Sequence, residues 1–348
     1  MVHSRFISRF FLVAGAVAVL ASCKTEPRNT EELIDPWLRE RTPVNFRLES
    51  QIGAAVISND WRNDAVGSIS VSIITGGLDL TKVKVEAVDF KFPESEYCPT
   101  ASITKGSTLD LSDGSASFTV TAYNGETRTY TVTYTQFTDP LEGSYSFVKI
   151  PGILDASNAP QCSLVIIGGW DGAVVMSTVM DKWWHWGTGY MPTDEDDNTL
   201  SFRLEGADAI SGATYGTIVN TLGPDGKYAN YMYGNSIDVN DKYRLIPEGK
   251  SRWGKNGDGY IYIFAWDDNL YQNPLFKIQL LDPGTYTLDE KTAALPCQAL
   301  HRSFPGPFDK IDWNWPDTRW YTDNVRHVIW LINKTSDSPI PNHDDLLQ

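Results

Sequence analysis

Along most of this chain apolar and polar residues alternate one by one, the period of a strand with one face in a core and the other in water. Val83, Val85 and Ala87 interleave with Lys82, Lys84 and Glu86. Phe118, Val120 and Ala122 lead into Asn124-Gly125, and Tyr130, Val132 and Tyr134 lead away from it. Asn-Gly between two such runs predicts a hairpin with a type I′ turn, because both residues accept the positive φ that this turn requires. Further strands are predicted at Ser144 to Lys149, Cys162 to Ile167, Ala173 to Met180, Thr199 to Leu204, Tyr215 to Leu222 and Tyr228 to Tyr233. Tyr260 to Trp266, Leu275 to Leu281 and Val325 to Ile332 complete the set. Gly223-Pro224-Asp225-Gly226 reads as a tight hairpin between two of these runs, and Asn256-Gly257-Asp258-Gly259 as a turn ahead of the strand from Tyr260. Long amphipathic helix patterns are absent, so the chain is expected to be all-β.

The alternation is interrupted where the chain changes character. His3, Arg5 and Arg9 precede a run from Phe10 to Ala21 that holds only apolar residues and glycine. That run is too short for the roughly 20 residues that span a bilayer as a helix, and it fits the apolar region of a signal peptide. It ends in Leu20-Ala21-Ser22-Cys23, which resembles the lipobox read by lipoprotein signal peptidase. Residues 1–22 are therefore expected to be removed, leaving Cys23 as the lipidated N-terminus and 23–43, polar and proline-bearing, as a tether. A second break, Thr138-Asp139-Pro140, divides the rest into expected domains of residues 44–138 and 141–348. Several short strands within about 95 residues suggest an immunoglobulin-like sandwich for the first. For the second, a larger antiparallel β-sandwich of jelly-roll type is expected, with a lipocalin-like barrel as the alternative.

The stretch LDLSDGSASFTVTAYNGETRTYTVTYT, Leu109 to Thr135, is similar to the closing hairpin of the small immunoglobulin-like domains at the N-termini of many Bacteroidetes surface lipoproteins, where V-T-A-x-x-G-x-T-x-x-Y-T-V-T recurs. Such a domain acts as a spacer or platform, and many of these proteins serve in polysaccharide capture. The resemblance implies a glycan as ligand, an outer-membrane transporter as partner, and a lipid anchor in the outer membrane facing the cell surface. One departure bears on the last point. The tail begins Lys24-Thr25-Glu26-Pro27 rather than with the acidic run that commonly directs these lipoproteins outward, which leaves the periplasmic face open.

Charge narrows the partners further. The chain carries 44 acidic and 29 basic residues, and a balance of that sign argues against nucleic acid. Besides Cys23, the cysteines are Cys98, Cys162 and Cys297, far apart and without C-x-x-C spacing, so no zinc cluster is indicated. One disulfide with a spare thiol, or three reduced cysteines, both fit.

The chemistry that stands out is aromatic. Ten of the twelve tryptophans lie beyond residue 140, among them Trp170, Trp253, Trp266 and Trp320. A sugar ring offers an apolar face of C–H bonds and a rim of hydroxyls, so a flat indole beside polar groups can grip it. The segment DKWWHWGTGY places Trp184 and Trp186 on one side and Trp183 and His185 on the other if extended. With Trp313 and Trp315 these form the candidate ligand site. The opposing reading is that such tryptophans are ordinary core. Asp194-Glu195-Asp196-Asp197-Asn198 could offer oxygen ligands to calcium, yet it lacks the spacing of a recognisable loop and is read as a solvated acidic turn. His185, His301 and His327 lack metal spacing, and neither G-x-S-x-G nor H-E-x-x-H occurs. No catalytic residue, metal or cofactor is therefore assigned. The expectation is a lipid-anchored carbohydrate-binding protein, with a glycoside hydrolase-like enzyme and a structural or adhesive lipoprotein as alternatives.

Overall fold

The computed structural model describes residues 36–60, 62–91, 93–149, 163–170, 173–178, 192–208, 211–234, 236–308 and 322–348. The all-β class holds throughout them. The first group of strands comprises β1 (Asn45–Leu48), β2 (Gln51–Asn59), β3 (Val66–Ile73), β4 (Val83–Asp89), β5 (Thr100–Ala101), β6 (Thr108–Leu109), β7 (Ser115–Thr121) and β8 (Thr127–Gln136). They form two sheets, β1-β4-β6 and β2-β3-β8-β7-β5, with β3 and β8 parallel. The alternating apolar positions meet between the sheets: Phe46, Leu48, Ile69, Val83, Val85, Phe118 and Val132 share one cluster. Arg41 and Arg128 are both buried and both pair with Asp64, which ties the segment before β1 to the turn before β3. Burial works against the Asp64 carboxylate, yet Arg128 and Arg41 hold its pKa below the usual range.

The β7–β8 hairpin forms where expected, but its turn is different. Ala122 N donates to Glu126 O (2.8 Å), which leaves Tyr123, Asn124 and Gly125 as a three-residue loop. Only Gly125 is left-handed (φ 86°), as in a type I turn closed by a glycine bulge.

From residue 143 the strands are β9 (Gly143–Phe147), β10 (Leu164–Trp170), β11 (Ala173–Thr178), β12 (Thr199–Ala207), β13 (Thr214–Thr221), β14 (Met232–Tyr233), β15 (Ile237–Asp238) and β16 (Gly249–Lys255). They continue with β17 (Ile261–Phe264), β18 (Pro274–Leu281), β19 (Gly284–Leu288), β20 (Lys291–Leu295), β21 (Ala299–Ser303) and β22 (Val325–Ser336). In the order β9, β12, β13, β16, β17, β18, β21, β22, each pairs antiparallel with the next. The end of β22 then pairs with β9. The sheet thus closes on itself in up-and-down order, which selects the barrel among the two architectures left open by the sequence. A jelly roll would cross between two separate sheets. The β10–β11 hairpin adds to the first half of β22.

The barrel is filled by side chains. Tyr145, Phe202, Ile218, Trp253, Ile263 and Trp330 point into one core, and the connection from β13 to β16 adds Tyr231, Tyr233, Tyr243 and Ile246 to it. Buried indoles need partners for their N–H groups: Trp330 Nε1 donates to Tyr243 O (2.8 Å) and Trp253 Nε1 to Arg203 O (3.1 Å). The stretch Tyr228 to Tyr233, expected as a strand, is extended only at its end, where β14 pairs with β15. Gly223–Gly226 closes a turn, with Gly226 N donating to Gly223 O (3.0 Å), but it leads into this filling segment rather than into a hairpin.

A candidate ligand groove on the barrel wall

Cross-strand register sets Gly206, Tyr215, Gly254, Tyr262 and Lys277 in one row across β12, β13, β16, β17 and β18. Residues directly opposite one another share a face of the sheet. Their chain neighbours Trp253, Ile261 and Ile263 face the core, so the row lies on the outer wall. The two glycines shape it. A Cβ at Gly206 would fall 2.2 Å from the Tyr215 hydroxyl, so the Tyr215 side chain lies across Gly206. A Cβ at Gly254 would meet the edge of the Phe264 ring at 3.3 Å and the Thr214 carbonyl oxygen at 3.9 Å. A slot opens here, lined by Tyr215, Gly254 and Tyr262, with the edge of Phe264 against the glycine.

The cavity at this slot measures about 330 Å³, within the range of small-ligand pockets. Phe264, Tyr271 and Pro274 line one end, and Ala213, Thr214 and Asn256 the other. Tyr215 is 38% exposed, and its ring centroid lies 5.1 Å from that of Tyr271. Phe264 meets Tyr271 edge-on at 5.4 Å.

Tyr271 reaches this place through a strained loop. The Asp268 carboxylate accepts from Gln272 N and Asn273 N (2.7 Å to Asn273), folding the β17–β18 connection back on itself. Tyr271 itself is left-handed (φ 54°), a conformation that costs a non-glycine residue about 1 kcal/mol or more and concentrates at functional sites. Behind the slot, Tyr271 Oη donates to Glu205 Oε2 and accepts from Arg252 Nη1, both at 3.4 Å. Burial pushes the Tyr271 hydroxyl up to about 12, so it stays protonated. Arg252 also lies over Trp266, 4.5 Å from its centroid. No protein family, curated protein or solved structure matches the chain.

The slot combines flat rings with a polar rim, and among the described residues its lining holds no carboxylate, histidine or thiol. The sequence-derived candidates Trp183, Trp184, His185, Trp186, Trp313 and Trp315, and the lipidation candidate Cys23, lie outside the described residues. Trp253 and Trp330 are core, while Trp266 is half-buried beneath Arg252 and Lys250. The exposed aromatics of the site are tyrosines, which the tryptophan count overlooked.

Two other clusters differ from their sequence reading. The acidic run is not solvated: Glu195 and Asp196 are buried. Glu195 accepts from Asn220 Nδ2 (3.0 Å) and Ala229 N (3.1 Å), and Asn198 Oδ1 accepts from Gly223 N (3.0 Å), so the run fastens the segment that fills the barrel. Burial raises Asp196 to about 6. His301 and His327, scattered in sequence, are brought together by the β21–β22 register, with Nε2 of the first 3.0 Å from Nδ1 of the second. His327 Nε2 in turn approaches Asp289 Oδ2 at 3.3 Å. Among the described residues no group of three or more His, Cys, Asp or Glu side chains is arranged to hold a metal. Cys98 and Cys297 are free thiols.

Proposed function

We propose that this protein is a lipid-anchored carbohydrate-binding protein of the cell envelope, assisting polysaccharide capture, and that the Tyr215–Gly254–Tyr262 slot is a sugar-binding site. The observation that carries the reading is the slot itself. Tyr215, Tyr262, Phe264 and Tyr271 line one cavity together with Gly254, and such rings give a sugar's C–H faces apolar contact while polar groups meet its hydroxyls. Beyond the slot, the lipobox-like Leu20–Cys23 and the hairpin resemblance favour an anchored protein that passes glycan to an outer-membrane transporter.

The test is the Tyr215→Ala/Tyr262→Ala double variant, measured by calorimetric titration against the glycan that binds wild type most tightly on an array. Each lost ring should weaken binding by about 1 to 3 kcal/mol, taking base stacking on aromatics as the analogue, or a factor of roughly five to over a hundred. The melting temperature should change little, because half-exposed side chains contribute modestly to stability. Unchanged affinity in a folded double variant would remove this slot as the site.

A further inference from the structure

Resting on the reading of the slot as a sugar site, we propose that Asp268 is its positioning residue, holding in place the wall that the ligand packs against. The β17–β18 connection and the strand ends that flank it bring Phe264, Tyr271 and Pro274 to the slot. Asp268 sits in the middle of that connection and outside the lining. Its carboxylate accepts from Asn273 N at 2.7 Å and from Gln272 N at 3.2 Å, the two amides between Tyr271 and Pro274. Its backbone closes a turn on either side, with Asp268 N donating to Ala265 O (3.1 Å) and Tyr271 N to Asp268 O (3.4 Å). The Asn273 N–H, helped by the amides of Gln272, Leu270 and Tyr271, holds this carboxyl below its usual range. At neutral pH it is therefore the charged form that grips the loop.

The role follows from what Tyr271 would do without this grip. Its left-handed φ of 54° is unfavourable for a residue with a Cβ, and such a conformation persists only where the surroundings over-determine it. Two sets of contacts do so. At the ring end, the bonds of the Tyr271 hydroxyl to Glu205 and Arg252 are both 3.4 Å, long for hydrogen bonds. At the backbone end, the contact from Asn273 N to a carboxylate is short and charge-assisted. The backbone end is thus the stronger hold. Tyr271 in turn backs the half-exposed Tyr215, 5.1 Å away between centroids, and meets the Phe264 edge at 5.4 Å. Releasing the loop would take the neighbour from Tyr215 and unmake one end of the slot. A wall set before the ligand arrives spares the ordering cost that binding would otherwise carry.

The experiment compares wild type, Asp268→Ala, Asp268→Asn and Tyr215→Ala on an array of neutral and acidic oligosaccharides, followed by titration with the tightest binder. Asp268→Ala should weaken binding roughly tenfold, because only a fraction of its molecules hold the competent loop. Asp268→Asn keeps an acceptor oxygen for the two amides and should stay within about threefold of wild type. Both variants should melt close to wild type, since the loop opens locally. Hydrogen exchange supplies a readout that a general loss of stability would not give. The Gln272 and Asn273 amides should exchange slowly in free wild type and fast in free Asp268→Ala, and saturating oligosaccharide should slow them again in that variant. Binding lost in Tyr215→Ala but unchanged in Asp268→Ala would overturn the positioning role and leave the sugar site standing. An Asp268→Ala protein that melts far below wild type would make Asp268 a support of the barrel and overturn the role as well. An array silent throughout, or binding indifferent to Tyr215→Ala, would overturn the site and the role together.

Discussion

Acidification from pH 6.5 to 4 is expected to destabilise the barrel through His301 and His343, each contributing roughly 3 kcal/mol. Both imidazoles are buried, and burial is the main cause that lowers each pKa to about 4; His327 adds to it at His301 and Arg203 at His343. His301 faces Gln279 and His327, while His343 sits between the Ser201 and Thr217 hydroxyls at 2.8 and 3.0 Å. In the unfolded chain both return to about 6.5. Between 6.5 and 4 the unfolded state therefore binds protons that the folded state refuses, so stability is full above this window and falls as pH drops through it. At about 1.4 kcal/mol per pH unit, two and a half units give the stated loss per histidine. Asp196 works in the opposite sense. Its pKa of about 6 means that the folded state takes up a proton first, offsetting roughly 3 kcal/mol below pH 6. Urea unfolding across the window should show a net fall of several kcal/mol, and His301→Gln/His343→Gln should flatten it. A wild-type stability independent of pH would contradict the burial of these rings.

Trp330→Ala should cost about 3 to 5 kcal/mol, the usual penalty for emptying a large aromatic site. Trp330 is 2% exposed. Its ring meets Phe147 edge-on at 5.0 Å and lies 6.4 Å from Tyr231. The indole N–H is also the partner of the Tyr243 carbonyl, so truncation leaves a buried acceptor unpaired. With two to four degrees per kcal/mol for a domain of this size, the melting temperature should drop by roughly 6 to 20 °C. Trp330→Phe, which keeps most of the volume, should lose about half of that or less. A melt unchanged by Trp330→Ala would mean that the barrel is not closed around this side chain.

Much of the fold was legible because period-two alternation reports directly on which side of a strand is buried. β4, β7, β8, β12, β13 and β22 all overlap their predicted spans. β16 escaped notice because Lys250, Arg252 and Lys255 leave Trp253 as its one large apolar residue. Its outward cations stack on Trp266, a contact that no local pattern announces. Tyr228 to Tyr233 failed for the opposite reason. Its tyrosines are apolar enough to suggest a strand, yet Tyr231 and Tyr233 are taken up as filling for the barrel. The acidic run misled because charge runs are usually solvated, whereas Glu195 finds buried donors on Asn220 and Ala229.

The groove was the least legible part. Tyr215, Gly254 and Tyr262 come from three strands, and only the register of β13, β16 and β17 shows that the glycine falls between the rings. A glycine inside a strand often marks a close approach or an opening, so Gly254 within Trp253-Gly254-Lys255 was a signal in principle. It could not name its neighbours. Likewise His301 and His327 become a pair only once β21 is set against β22.

The central claim is that a sugar ring seats between Tyr215 and Tyr262 over Gly254. A crystal structure of the protein with the oligosaccharide it binds most tightly tests this directly. The account predicts one sugar ring packed against both tyrosines, with a ligand hydroxyl donating to Tyr262 Oη. A sugar well ordered elsewhere on the protein, with the slot empty and its tyrosines unmoved, would contradict it.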